Sequence, residues 1–230
     1  MTKNNVAWEK FINEKKVLEK MYSPGFQYIS AQELNEITGR EPRLLAKQDS
    51  LSDRPQGFKE NNIGIFPVKN GHYILFRDKD SKSYYKFSDS DYSLPIETYQ
   101  SKVDLLKYDS YPGSQYLSES QAIDFAYLSS LLRHFTNEKN LSLAIRGRLF
   151  SGKFDFLLPD VNHKVEVSSV QIEVDAGYES DNCIYLIEAK IGKRDDFHIR
   201  QLYYPYLEWS HKSKKKIVPI FFIYSNSRYY

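Results

Sequence analysis

The stretch QIEVDAGYESDNCIYLIEAKIGKRDDFHIRQ, Gln171 to Gln201, decides how this chain is read. Its pattern predicts two strands and the start of a helix. In the first strand, Gln171–Tyr178, Ile172 and Val174 point one way and Gln171, Glu173 and Asp175 the other. The second, Cys183–Lys190, is apolar until its end, where Glu188 and Lys190 share one face and Ile187 and Ala189 take the opposite one. Two neighbouring strands therefore carry acids where their core pattern stops, and Asp175, Glu188 and Lys190 can converge. Carboxylates suit a hard cation such as Mg²⁺. Such an ion polarises a phosphoryl oxygen and acidifies a bound water, and an adjacent ammonium orients that water or stabilises charge on the phosphate. A plainer alternative has Asp175 ending its strand at the Asp-Ala-Gly turn, with Glu188 and Lys190 on an ordinary half-exposed edge. Three features favour the chemical reading. The acids terminate apolar strands, a short polar turn (Gly177–Asn182) links those strands, and the tail Asp196–Tyr206 adds a helix carrying a glutamine.

IEVDAGYE and IYLIEAK together resemble the active-site signature of the PD-(D/E)XK nuclease superfamily. The following DDFHIRQLYYPYLEW and IVPIFFIYSN are similar to a group of type II restriction endonucleases. The resemblance is strongest over about Gly152–Asn226 and weaker over the N-terminal half. It implies an α/β core, a mixed sheet flanked by helices, in which an acid strand, an E-A-K strand, a glutamine-bearing helix and one more strand build the site. It also implies Mg²⁺-dependent cleavage of double-stranded DNA. Asp175, Glu188 and Lys190 carry over as catalytic positions, with Gln201 as an auxiliary one. The expected Mg²⁺ ligands are Asp175, Glu188 and the backbone carbonyl of Ala189. Val174 stands where a proline often precedes the first acid, a position commonly degenerate in the superfamily. An enzyme cutting a palindrome is expected to be a homodimer, because protein symmetry mirrors the site, and to have a cognate DNA methyltransferase in the same system.

The bulk numbers agree with a globular chain: 41% hydrophobic and 27% charged residues. No apolar run is long enough to span a bilayer, and MTKNNVAWEKF lacks the apolar core of a signal peptide. A lone cysteine, Cys183, excludes an intrachain disulfide and a cysteine-based zinc site. A cytoplasmic location is expected. A net charge of +2 says little about nucleic acid by itself, because a basic footprint needs clustering. Clusters exist at Arg146, Arg148 and Lys153 and over His211–Lys216. The 19 tyrosines can bond phosphates or stack on bases, though packing accounts for most of them.

Residues 1–116 read as a smaller N-terminal module. Val6–Met21 predicts an amphipathic helix with Phe11, Ile12, Lys15 (through its stem) and Leu18 on one face. Ser30 and Glu33 form a capping box, Gly39 stops that helix, and Pro42 opens a second one reaching about Gln48. Ile63–Val68 and His72–Phe76 flank Asn70-Gly71, a strong hairpin signal. Two short helices followed by a hairpin predict a winged-helix-like α+β module, with Arg43 and Lys47 facing DNA. The alternative is a scaffold that supports the nuclease or a dimer contact. Asp78–Tyr116 reads as a connector, with strand content near Tyr84–Phe87 and a short helix around Ser101–Lys107.

Residues 117–230 read as the nuclease core. Ser118 caps a helix from Glu119 to about Asn137. Glu119 is a candidate for an additional catalytic carboxylate, although an acid in a first turn is favoured by the helix dipole anyway. Leu141–Phe150 and Gly152–Leu158 predict strands joined at Ser151-Gly152. Arg146, Arg148 and Lys153 are candidate DNA contacts, with salt-bridged strand faces as the alternative. Asp155, also on a strand, rivals Asp175 as the metal-binding acid. Asp195 or Asp196 is expected to cap a helix over His198–Ser210, where Pro205 frees the carbonyl of Gln201 and kinks the helix. The apolar strand Ile217–Tyr224 follows, and Pro219 predicts that its first residues lack a partner on one side. Two rival functions remain: a PD-(D/E)XK nuclease of repair, mobile-element or other defence role, and a catalytically decayed winged-helix DNA-binding protein.

Overall fold

The computed structural model describes residues 2–80, 82–87, 91–113, 115–116 and 118–230. In chain order the elements are α1 (Lys3–Glu14), α2 (Val17–Lys20), β1 (Phe26–Ser30), α3 (Ala31–Thr38), α4 (Pro42–Ala46), α5 (Gln56–Glu60), β2 (Ile63–Lys69), β3 (His72–Arg77) and β4 (Tyr85–Phe87). Then follow α6 (Glu119–Leu128), α7 (Leu131–Thr136), β5 (Ser142–Phe150), β6 (Lys153–Leu158), β7 (His163–Ser168), β8 (Gln171–Glu179), β9 (Cys183–Ile191), β10 (Asp196–His198), α8 (Arg200–Lys212), β11 (Lys216–Ser225) and β12 (Arg228–Tyr229). The class is mixed α/β, with several sheets and helices on them. Among the described residues no helix is long and apolar enough to cross a membrane.

The chain forms two compact units, one of 1–86 with 150–171 and one of 87–149 with 172–230. This differs from the halves expected on either side of residues 116 and 117, of which Leu117 lies outside the described residues. Residues 87–116 join the second unit. Residues 150–171 leave the expected nuclease half and join the first. Packing across long sequence distances attaches that segment, with His163 stacked on Phe26 and Phe156 against Phe66.

In the first unit the order is helix, strand, helices, hairpin. Ala7, Trp8, Phe11 and Ile12 form the buried stripe of α1. The helix expected to reach Met21 breaks instead: Lys15 caps α1, Lys16 adopts φ 50°, and α2 starts afresh. Strand β1, missing from the sequence reading, pairs antiparallel with β3, and β3 with β2, giving the order β1-β3-β2. Ser30 ends β1 and caps α3. Its hydroxyl accepts from Glu33 N at 3.1 Å, while its own N–H donates to Glu33 Oε2 at 2.9 Å. Gly39 closes α3 at φ 64°, a left-handed conformation that glycine adopts without strain. Helix α4 is only five residues long, two shorter than expected. Trp8 Nε1 fixes it by donating to Leu45 O at 3.1 Å inside the core of this unit. The β6–β7 hairpin adds a second small sheet and sets Phe156 edge-on to Phe66 of β2, 5.4 Å between centroids.

The second unit holds a sheet in the order β12-β11-β9-β8-β5. Strand β8 runs antiparallel to β9, with Ala176 opposite Ile187 and Tyr178 opposite Tyr185. Strand β11 runs parallel to β9, Phe221 opposite Glu188. A parallel neighbour needs a crossover, and α8 supplies it. Alternation along β9 divides the core into two layers. Tyr185, Ile187 and Ala189 join Ala122, Ile123 and Ala126 of α6 and Leu132 of α7. Ile184 and Leu186 join Ile217 with Tyr206 and Trp209 of α8 on the other face. Pro219 pairs with β9, while β12 reaches β11 only at Tyr224 and Ser225, so the first residues of β11 form an edge that tolerates a missing N–H.

Two further expectations change here. The single helix over Glu119–Asn137 is two helices, because Ser129 caps α6 and Ser130 turns to φ 67°. The strands joined at Ser151-Gly152 form within a residue of the bounds read, β5 pairing with β8 and β6 with β7. Helix α8 begins at Arg200 rather than His198, after the short strand β10, and continues past Pro205 to Lys212.

Candidate active site

Strand β9 ends with alternating chemistry. Ala189 faces the α6 layer, so Glu188 and Lys190 emerge on the α8 side, both largely buried: their side chains are 10% and 17% exposed. Asp175 arrives on β8. Val174 packs in the α8-side cluster and Ala176 in the α6-side one, although strict alternation would put residues two apart on one face. The alternation therefore slips at Asp175. There its carboxylate reaches across and accepts the Ala189 N–H at 2.8 Å through Oδ2. Asp175 is thus tied to the residue between Glu188 and Lys190.

Lys190 Nζ donates to Glu188 Oε1 at 2.5 Å and to the Ala189 carbonyl at 3.0 Å. Glu119, in the first turn of α6, stands 4.0 Å from the same ammonium. Burial weighs against the charge on Lys190. Glu188 foremost, then Glu119 and Asp175, outweigh it and hold the ammonium above the ordinary lysine value. Gln201, in the first turn of α8, donates from Nε2 to Glu188 Oε1 at 2.6 Å. Its own Oε1 is buried and has no hydrogen-bond partner among the described residues. The catalytic positions named from the sequence, Asp175, Glu188, Lys190, Gln201 and Glu119, are thus linked in one cluster.

The donor set fits a hard divalent ion. Among the described residues no group of three His, Cys, Asp or Glu side chains is placed to hold a metal. An ion here would rest on Asp175, Glu188 and the Ala189 carbonyl and take its remaining ligands from water, which suits Mg²⁺. The Lys190 ammonium already lies on two of those oxygens, so the donors face a cation in this state. The orphaned Gln201 Oε1 is an acceptor suited to such a water.

Other candidates are placed differently. Asp155 lies on β6 of the first unit and pairs with Lys164 at 3.2 Å. Arg146 and Arg148 lie on β5 of the second unit and Lys153 on β6 of the first. Arg148 Nε bonds Glu173 at 3.2 Å. Arg146 bonds the Asp175 carbonyl at 3.1 Å and both oxygens of Asp124. Asp124 was not singled out from the sequence, where it reads as one polar residue on an apolar helix. In the run His211–Lys216, Lys212 pairs with Glu208 and Lys215 with Glu179. In the first unit Arg43 and Lys47 are exposed, with Lys47 3.4 Å from Asp49.

No curated protein and no solved structure matches the chain. Residues 5–75 match a domain of unknown function, DUF6996. Residues 79–230, which include every residue of the cluster, match the family described as a domain of unknown function, DUF6997, and the chain belongs to that family.

Proposed function

We propose that this protein is a Mg²⁺-dependent type II restriction endonuclease with a PD-(D/E)XK-like core. The observation that carries the reading is the tie between strands: Asp175 of β8 bonds the main chain of Ala189, between Glu188 and Lys190 on β9. The same cluster gathers a glutamine from the crossover helix and an acid from α6 around that lysine. A largely buried Glu188 and Lys190, with Asp175 and Glu119 beside them, suit a catalytic centre better than a strand edge, where charges are solvated.

When bound, Mg²⁺ supplies a polarised phosphoryl oxygen and a bound water of lowered pKa. Asp175, Glu188 and the Ala189 carbonyl would hold it. Lys190 presents a persistent positive charge, positioned to orient the attacking water and to stabilise charge on the phosphate as in-line attack expels the sugar oxygen. Gln201 braces the Glu188 carboxylate and offers Oε1 to a water. The first unit takes the role of a winged-helix-like reader. Its order of α1, β1, α3, α4 and the β2–β3 hairpin supports that role, with exposed Arg43 on α4 and exposed Lys47 just past its end. Double-stranded DNA is then the partner, a homodimer the working assembly, and a DNA methyltransferase the companion activity.

The test is digestion of duplex DNA by wild type, Asp175→Ala and Glu188→Ala in Mg²⁺, with DNA binding followed in parallel. Loss of cleavage by orders of magnitude in both variants, with binding retained, is expected. Asp175→Ala cutting at the wild-type rate would refute the assignment.

A further inference from the structure

We propose that Arg146 is a positioning residue for Asp175, held in place by Asp124, and not a contact to DNA. This rests on the nuclease reading above. Arg146 lies on β5, whose neighbour in the sheet is β8. The two strands come unusually close at the adjoining residue. A Cβ on Gly177 would stand 2.6 Å from Ile145 Cβ, so only glycine permits this approach. That contact seats the next residue, Arg146, beside Asp175.

Its guanidinium is then engaged on two sides. Nε donates to the Asp175 carbonyl at 3.1 Å. Nη1 and Nη2 grip the Asp124 carboxylate at 3.4 and 2.5 Å, a two-pronged pair that fixes the plane of the fork. Three of its five N–H donors are therefore committed inside the unit. Asp175 stands where the alternation of β8 slips. Arg146 holds its carbonyl and the Ala189 N–H holds its carboxylate. Asp124 sits on α6, the helix that also carries Glu119. The pair thereby links the acid strand to the helix bearing the second carboxylate near Lys190. The expected consequence is a set angle for the Asp175 carboxylate, and hence a set affinity for the ion.

The experiment compares Arg146→Met, Arg146→Lys and Asp124→Asn with wild type. Three quantities are read: the Mg²⁺ concentration for half-maximal single-turnover cleavage, duplex affinity and its salt slope in EDTA, and Mn²⁺ binding to the DNA-free protein. Circular dichroism checks that each variant is folded. Arg146→Met is expected to raise the half-saturating Mg²⁺ about tenfold and to weaken Mn²⁺ binding similarly, with DNA affinity and salt slope unchanged. Asp124→Asn, which keeps the shape of its partner, is expected to move the same way by less. Arg146→Lys is expected not to rescue, because one ammonium cannot reproduce the fork. Wild-type Mg²⁺ and Mn²⁺ responses in Arg146→Met, with weaker DNA binding and a salt slope reduced by about one, would overturn the proposal and make Arg146 a phosphate contact. If wild type binds Mn²⁺ and cleaves, that failure belongs to Arg146 alone. A wild-type protein that binds no Mn²⁺ and cuts no DNA would overturn the nuclease reading with it.

Discussion

At the scale of the residue, the decisive object is one ammonium among carboxylates. Lys190 can act as a counter-ion or, as proposed above, beside the attacked phosphate, and variants separate the two roles. Lys190→Met keeps the length and loses the charge. It is expected to bind DNA and Mg²⁺ and to turn over far more slowly. A rate within tenfold of wild type, about 1.4 kcal/mol in barrier, measured in single turnover at saturating Mg²⁺, would leave only the counter-ion role. Gln201 offers a second test. Its amide nitrogen supports Glu188, and Gln201→Leu removes that support with little change in bulk. Cleavage is expected to fall at subsaturating Mg²⁺ and to recover in part as Mg²⁺ rises, which a titration of rate against metal would show. Much of this site was legible in the sequence, because Asp175, Glu188 and Lys190 interrupt apolar strands where a fold gains nothing from charge. The engagement of Arg146 was not. Its partners lie 22 and 29 positions away, and no local pattern joins β5 to α6 and β8.

At the scale of the element, local chemistry predicted what local chemistry controls. The Ser30–Glu33 capping box, the Gly39 stop and the Asn70-Gly71 hairpin form as read. Ser30→Ala removes the cap of α3 and is expected to cost about 1 kcal/mol, seen as a lower thermal midpoint. Glu33 adds a pH dependence. Lys15 first, then the Ser30 N–H, hold its carboxyl below the ordinary glutamate value. A depressed carboxylate contributes stability above its unfolded pKa and loses it as pH falls through the folded one. The gap in melting temperature between wild type and Glu33→Gln is therefore expected at neutral pH and should close in acid. An unchanged gap down to the acid limit would contradict this. Strand β7 was missed although its signal was present: Val165 and Val167 are buried and alternate with Lys164 and Glu166. Strand β1 is harder to read. It is five residues long, and its last, Ser30, already serves as a helix cap. The break at Ser130 has no such signal, since serine does not ordinarily favour the left-handed conformation found there.

At the scale of the whole molecule, the mixed α/β class agrees with what the resemblance to the nuclease superfamily implies. The division into units does not follow from it. Residues 150–171 return to the first unit because their hairpin packs on it, Phe156 against Phe66 and His163 against Phe26, contacts no spacing in the sequence dictates. For function, the first unit is expected to read DNA through α4. Arg43→Ala should weaken specific binding by ~1–3 kcal/mol if it reaches a base edge, measured against a random duplex of the same length. Equal affinity for both duplexes in wild type and variant would leave this unit as scaffold. The central claim is that the β8–β9 cluster cuts DNA with a divalent ion at one short sequence. It is tested most directly by digesting a long duplex of known sequence with wild type and Glu188→Gln, in Mg²⁺ and in EDTA, and sequencing the fragment ends. The account predicts ends at a single short sequence for wild type in Mg²⁺ alone, and intact DNA in every other lane. Intact DNA with wild type in Mg²⁺, or the same fragments from Glu188→Gln, would contradict it.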